Sequence, residues 1–482
     1  MSELADEDAI GTADLVRRGK VSPAELVEAA IDRLERHDPE LGVIVERRHD
    51  GARADLAALP DGPFRGVPIV LKDLLATIRG TPSTAGMKAL AAARLPAPAD
   101  SFLVRRLRAA GFVVVATTKS SELGILPTAE PTCYGPARNP WNLAHSTGGS
   151  SGGTGAAVAA GLVPIGHGND GGGSIRIPAS CCGLVGLKPS RGRISLGPSF
   201  GDLMGGLVNE HVLTRSVRDS AAVLDLLAGF EPGDPYTAPP PARPYADEVA
   251  AATRGAAPLR VGFSLHFHDT RGRRRKVEPA CEAAVAATAK ALEALGHHVE
   301  ERDLPALGRP EYVPRFLAVW STGVAADLDA LELVLGRKLT ADDVEPLTWT
   351  LATMGRAVPA PAYANAWRWL QATSRELAAP WRDLDLWLTP TLTAPPPPLG
   401  HYAPVAGDPL APIMRAADLV PFTAPWNVTG QPAISLPMHV DAASRLPIGV
   451  QLVGAYGRED LLLRTAAQLE AAHPWRHDAT RR

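Results

Sequence analysis

The residues best suited to chemistry are one lysine and two loops of glycine and serine. Lys72 ends the run Pro68-Ile69-Val70-Leu71 and is followed by Asp73, Leu74 and Leu75, an odd setting for a hydrated cation. Burial strips hydration from an ammonium and favours the free amine, which is a base. The plainer reading is a lysine at a strand end whose ammonium reaches out to water. The loops Gly148-Gly149-Ser150-Ser151-Gly152-Gly153 and Gly171-Gly172-Gly173-Ser174 carry hydroxyls on backbone that can approach other backbone, or a ligand, closely. A hydroxyl becomes a nucleophile when a neighbouring base takes its proton, and no histidine motif accompanies these loops.

Two other chemistries can be written onto the same glycines. Gly166-His167-Gly168-Asn169-Asp170-Gly171 has the G-x-G-x-x-G form of a dinucleotide site. The stretch 172–178 then brings more glycine and a proline where a helix should open, and Arg191 and Arg193 stand about 20 residues on, where an acidic ribose partner is needed. Neither loop has the lysine of a phosphate-binding loop. Gly149-Ser150-Ser151-Gly152-Gly153 fits G-x-S-x-G, the nucleophile elbow, with Ser151 as its serine. An elbow needs a strand just before it, whereas Asn139-Pro140-Trp141-Asn142-Leu143 reads as a turn.

These residues must be held by regular elements. Ser22-Pro23-Ala24-Glu25 is a capping-box pattern, continued by Val27, Ile31 and Leu34 as one apolar helix face. The apolar run 67–71 has strand length, and a helix over 101–110 stops at Gly111 before a second run, 112–116. Strand, helix, strand implies an α/β sheet. Strand texture returns at 259–264, 298–300, 384–388, 433–436 and 448–453, with helices over 278–295 and 459–471. Residues 232–244 read as a proline-rich connection. Residues 311–380 read as helices inserted into the α/β core, Thr340 and Asp343 forming a cap pair. Six of nine tryptophans (Trp320, Trp349, Trp367, Trp369, Trp381, Trp387) fall in or beside this insertion, most as core and one or two as walls of an apolar pocket.

Composition narrows the function classes. The 482 residues are 45% hydrophobic and 21% charged, which excludes a disordered or fibrous chain. Lys plus Arg (49) nearly balances Asp plus Glu (52), so the chain has no electrostatic claim on nucleic acid, and Arg273-Arg274-Arg275-Lys276 reads as a solvated loop. Cys133, Cys181, Cys182 and Cys281 neither frame disulfides nor show zinc spacing, and the adjacent pair reads as buried thiols. His167 reads as a packed histidine. The acidic start and the lack of about 18 consecutive apolar residues lead us to expect a cytoplasmic protein with no membrane segment.

Taken together, these stretches make the chain resemble the amidase signature family, hydrolases of carboxylic amides. The resemblance spans roughly 5–475. It rests on Gly66-Val67-Pro68-Ile69-Val70-Leu71-Lys72-Asp73, on Ser146-Thr147-Gly148-Gly149-Ser150-Ser151-Gly152-Gly153, and on 168–179 with its Gly-Gly-Gly-Ser. Residues 422–427 and 430–433 add to it, as does the separation of 24 residues between Ser150 and Ser174. The stretch 127–180 is most similar to amidases of nylon oligomers, and also to the family's aryl acylamidases and urethanases.

The resemblance implies an α/β fold with a mixed β-sheet core flanked by helices on both faces. It also implies a single amidase domain, 1–482, divided into an N-terminal helical region (1–65), a catalytic core (66–230) and a helical insertion (310–380) that shapes the substrate pocket. It makes Lys72 the base, Ser150 a serine that follows a cis peptide and relays the proton, and Ser174 the nucleophile. Backbone N–H groups of Gly171, Gly172 and Gly173, with Ser174, would then form the oxyanion hole. Ser151 would support the network by hydrogen bonding, and Asp170 and Arg176 would hold the loop as an ion pair. The implied substrate is a small linear or cyclic amide, without metal or cofactor, and the chain would act alone or as a homodimer. The rival within this resemblance is an amidotransferase subunit that delivers ammonia to an acyl-tRNA in a complex. Gly171 departs from the hydroxyl or branched residue usual before Gly-Gly-Ser, which would either loosen the loop or widen the site.

Overall fold

The apolar runs become strands of one eleven-stranded sheet in a computed structural model that describes residues 6–252 and 257–475. Residues 1–5, at the head of the N-terminal helical region, lie outside the described residues. In chain order the strands are β1 (Ile44–Arg47), β2 (Pro68–Lys72), β3 (Val113–Thr118), β4 (Ile165–Asp170), β5 (Val185–Lys188) and β6 (Asn209–Thr214). They continue as β7 (Arg260–Phe263), β8 (His298–Glu301), β9 (Leu386–Pro390), β10 (Ala433–Val440) and β11 (Pro447–Gly454). Their order across the sheet is β1-β3-β2-β4-β6-β5-β10-β11-β9-β7-β8. The sheet is mixed: β3, β2 and β4 run parallel, β6 turns antiparallel to β4, and β7 is parallel to both β8 and β9.

Successive residues of a strand point to opposite faces, and β2 shows both faces covered. Val70 joins a core layer with α1 (Pro23–Leu41), α2 (Gly152–Ala159) and α3 (Arg176–Cys182), while Ile69 and Leu71 join the layer on the other side. That second layer includes residues of the helices Phe102–Ala109, Val217–Leu227, Pro279–Ala294 and Glu459–Ala472. Helix α1 starts as its sequence dictates: Ser22 and Glu25 cap each other reciprocally, Pro23 holds the first turn, and Gly42 ends the helix in a left-handed conformation. The stretch 311–380 contains three long helices, α4 (Tyr312–Leu335), α5 (Pro346–Arg356) and α6 (Ala360–Leu377). Thr340 and Asp343 cap the short 3-10 turn that precedes α5.

Ile44–Arg47, inside the region expected to be helical, is a strand, and Arg274–Lys276, expected as a solvated loop, is exposed but pairs as a strand with His266–His268. Two longer stretches also differ from the sequence reading. Three wholly buried strands, β4 and β5 within the glycine-rich stretch 145–195 and β6 after it, lie in the middle of the sheet. Gly166, His167, Gly168, Asn169 and Asp170 offer neither an apolar run nor a period-two alternation, so nothing local announces a strand covered on both faces. Since 165–170 is itself strand, the G-x-G-x-x-G pattern lies within a strand and not in the turn after one. The second difference is at 138–146, a small hairpin of Arg138–Asn139 and Asn142–Ser146 instead of a plain turn.

Candidate active site

Lys72 is the last residue of β2 and is fully buried. Its Nζ donates to Ser150 Oγ at 2.6 Å and to Asn169 Oδ1 at 2.5 Å. Burial pulls the ammonium down from the ordinary lysine range to about 7, the nearby carboxylates of Asp170 and Glu210 opposing that fall. The reading in which Lys72 reaches out to water therefore does not hold. Asp73 points elsewhere: its carboxylate accepts from the Thr84 backbone N–H at 3.0 and 3.1 Å, and burial raises it to about 6.

Ser150 follows a cis peptide, Gly149–Ser150, and is itself buried. Gly149 is required by close approach, since a Cβ there would collide with the backbone of Thr128. Ser151 is also fully buried; its Oγ donates to the Asn169 carbonyl at 3.3 Å and its N–H to the Ser174 carbonyl at 3.3 Å. A strand, Asn142–Ser146, and a helix, α2, do bracket this loop, as an elbow would demand. The Ser151 hydroxyl nevertheless faces into protein, where no substrate can reach it.

The second loop is built on Asp170. Asp170 and Arg176 form a fully buried pair with contacts of 2.9 Å from both Nε and Nη2. The other guanidinium N–H groups reach the Thr423 carbonyl, Gln451 Oε1 and Asn427 Oδ1 at 2.9, 2.8 and 2.6 Å, so all five donors are used. Despite its burial, Asp170 is pulled down to about 2 by the Arg176 guanidinium beside it, helped by Lys188 and the Asn427 amide. Asp170 Oδ1 also accepts the Gly173 N–H at 2.7 Å. This corrects one expectation: Gly173 cannot donate to an oxyanion, because its N–H is committed to folding the loop. The N–H groups of Gly171, Gly172 and Ser174 have no partner among the described residues.

Ser174 is half-buried and lines a cavity of about 340 Å³, together with Gly172 and Ile177. Another part of the lining is a ladder on α4, where Phe316 and Trp320 stack at 5.5 Å between ring centroids and Tyr312 lies 6.2 Å from Phe316. Ile125, Leu126 and Val420 extend the apolar lining. Gly171 leaves no void beside the loop. A Cβ there would lie 3.4 Å from Val208 and 3.5 Å from the Trp320 ring, so the indole occupies the room that a branched side chain would need.

Gly173 and Gly171 are therefore expected to respond differently. At Gly173 φ is +138° and a Cβ would lie 2.5 Å from Thr423 Oγ1, so Gly173→Ala should cost about 1–3 kcal/mol and more than tenfold in kcat/KM. Gly171→Ala should be nearly silent and Gly171→Val should displace Trp320 and raise KM. Steady-state kinetics and thermal melts of the three variants check this.

A sequence profile of the amidase family, described simply as Amidase, matches residues 25–463. The chain belongs to the amidase family. The 6-aminohexanoate-cyclic-dimer hydrolase of Pseudomonas sp. (strain NK87) is 42% identical over 479 residues, covering 97% of this amidase and 95% of the relative. A solved structure of 6-aminohexanoate cyclic dimer hydrolase superposes with a TM-score of 0.93 at 41% identity, covering 98% of both chains. A bacterial aryl acylamidase of the amidase signature family superposes with a TM-score of 0.87 at 28% identity, again over 98% of both chains. The amidase signature fold and the mixed sheet flanked by helices are thereby established for this amidase, as is its standing as an enzyme of amide bonds.

Several residues of the site had no role in the sequence reading. Asn169 holds Lys72 from the far side, and its Nδ2 donates to the Leu74 carbonyl at 2.9 Å. Thr423 Oγ1 donates to the Gly172 carbonyl at 2.6 Å, and Asn427 Nδ2 reaches both the Asp170 carbonyl and Asp170 Oδ1. The available signal was the polar run His167, Asn169, Asp170 between apolar segments. Cys181 and Cys182 are buried with thiols raised by burial. No group of three His, Cys, Asp or Glu among the described residues is arranged to hold a metal, and no described helix is long and apolar enough to cross a membrane.

Removing Asp170 should unfold the amidase before it merely slows it. Asp170→Asn leaves the buried Arg176 charge uncompensated, a loss of about 3–5 kcal/mol, readable by urea denaturation. The sign with pH follows from the depressed carboxyl: its stabilisation is complete above the ordinary aspartate range near 3.8 and is lost as pH falls towards about 2.

Proposed function

We propose that this amidase hydrolyses small cyclic or linear carboxamides with apolar chains through an acyl-serine intermediate. The observation that carries the reading is the 2.6 Å contact from Lys72 Nζ to Ser150 Oγ, beside an apolar cavity lined by Ser174. An amide carbonyl is a weak electrophile, and splitting its hydrolysis into acylation and deacylation lowers each barrier. Ser174 Oγ attacks the carbonyl carbon. Its proton passes to Ser150 Oγ while Ser150 gives its own to the neutral amine of Lys72. The N–H groups of Gly171, Gly172 and Ser174 receive the oxyanion, each donor of this kind being worth about 2.7–4 kcal/mol. The amine of the substrate leaves with the proton returned along the same path, and water then takes the place of the amine and releases the acid.

The cavity volume and its apolar, aromatic lining suit an unbranched methylene chain or a ring of such chains. The high identity to a hydrolase of the 6-aminohexanoate cyclic dimer supports the same substrate class here. The purified chain, offered the cyclic dimer, linear 6-aminohexanoate oligomers, anilides and carbamates, should open the cyclic dimer to the linear one, as read by mass spectrometry. Failure to hydrolyse any amide alone, with ammonia transfer appearing only in a multiprotein complex, would establish the amidotransferase reading instead.

A further inference from the structure

The site holds a second buried acid that the reaction above does not use. Glu210 on β6 lies directly across from Asn169 on β4, and paired residues of adjacent strands present their side chains on the same face. Asn169 Oδ1 is the acceptor that grips Lys72 Nζ at 2.5 Å. His167, two residues before Asn169 on β4 and so on the same face, places Nε2 3.2 Å from Glu210 Oε1. Glu210 is 2% exposed and His167 is 0% exposed.

The charges around this group define its role. On β4, Asp170 is paired with Arg176 of α3 at 2.9 Å and also opposes the fall of Lys72. On β5, Lys188 is buried, its proton affinity pushed well down by burial, and its Nζ donates to the Pro189 carbonyl. His211, beside Glu210 on β6, is held neutral by burial at about 3. On β2, the only charge-bearing partner is Lys72 itself; Asp73 turns away to Thr84. Among the described residues no arginine or lysine forms an ion pair with Glu210, and its one neighbour at ion-pair distance is the His167 ring. A buried carboxylate is costly unless something compensates it, so an acid kept here without a cation should be acting on a nearby charge.

We propose that Glu210, packed against His167, is a positioning residue that tunes the proton affinity of Lys72. The inference rests on the reading of Lys72 as the base. A base works best when its proton affinity matches the working pH. Desolvation lowers the amine, and the carboxylates of Asp170 and, one strand beyond Asn169, Glu210 oppose that fall. The carboxylate touches neither substrate nor the reacting serines.

The test is the pH dependence of kcat/KM from pH 5 to 9.5 for wild type, Glu210→Gln and Glu210→Asp. Wild type should show an acid limb with its midpoint near 7, where burial leaves the Lys72 amine. Glu210→Gln should move that midpoint down by about half a pH unit or more, while Glu210→Asp, which keeps the charge, should return it towards wild type. Should Glu210→Gln not fold, the same shift is read from the Glu210→Gln, His167→Gln pair, in which two amides can bond to each other. An unmoved or raised midpoint in a folded variant overturns the role of Glu210 and leaves Lys72 as base. A wild-type profile with no acid limb overturns the reading of Lys72 itself.

Discussion

Ser174→Ala should abolish amide hydrolysis, whereas Ser151→Ala should leave it within about tenfold of wild type. Deleting the nucleophile of a serine hydrolase costs on the order of 10⁶ in kcat, the largest effect expected from any single side chain here. The contrast follows from position. Ser174 lines the cavity, while Ser151 is buried against the Asn169 carbonyl and contributes one long hydrogen bond of 3.3 Å. Losing one neutral bond of that kind is worth about 0.5–1.5 kcal/mol, which sets the tenfold bound. Steady-state kinetics separate the two, and a sulfonyl fluoride should label Ser174 when its peptide is mapped by mass spectrometry. Inactivation by Ser151→Ala with Ser174→Ala still active would restore the nucleophile elbow that G-x-S-x-G suggests.

Lys72→Met should lower kcat by at least about 10²–10⁴, the range that a positioned general base contributes, without lowering the melting temperature. The second half of this expectation separates a base from a structural lysine. An amine whose proton affinity falls on folding opposes the fold: the penalty begins as pH drops below the ordinary lysine range near 10.5 and is complete below about 7. Methionine removes that penalty and fills nearly the same volume. The cost is the donor lost by Ser150 Oγ and Asn169 Oδ1, about 1–3 kcal/mol for buried acceptors left alone, so the two terms roughly cancel. A collapse in melting temperature equal to the loss in activity would mean that Lys72 holds the loops and does not accept a proton.

What the sequence disclosed of this site was whatever local chemistry could express. A lysine closing an apolar strand is visible in five residues, and the spacing of the two glycine-serine loops is visible by counting. The turn that takes Gly173 out of the oxyanion hole could not be weighed in the same way. An aspartate three residues before a glycine is a common turn pattern, but only coordinates tell whether the N–H is folded back or left open. The packing of Trp320 against Gly171 joins positions 149 apart, and no periodicity reports it. Strands β4 to β6 escaped for the opposite reason: their neighbours bury them on both faces, so glycine and polar residues serve where alternation would be expected. In each case the missing information is tertiary, and it concerns which groups are already spoken for.

The most direct measurement is the pH dependence of the acylation step itself, followed by single-turnover release of the leaving amine between pH 5.5 and 9.5. If Lys72 is a neutral amine when Ser174 attacks, the rate should climb about tenfold per pH unit on the acid side, bend near 7 and level by pH 8 to 9. A rate that is flat or falls across pH 6 to 8 would show that no base of this kind is being uncovered, and the lysine could not be what activates the serine.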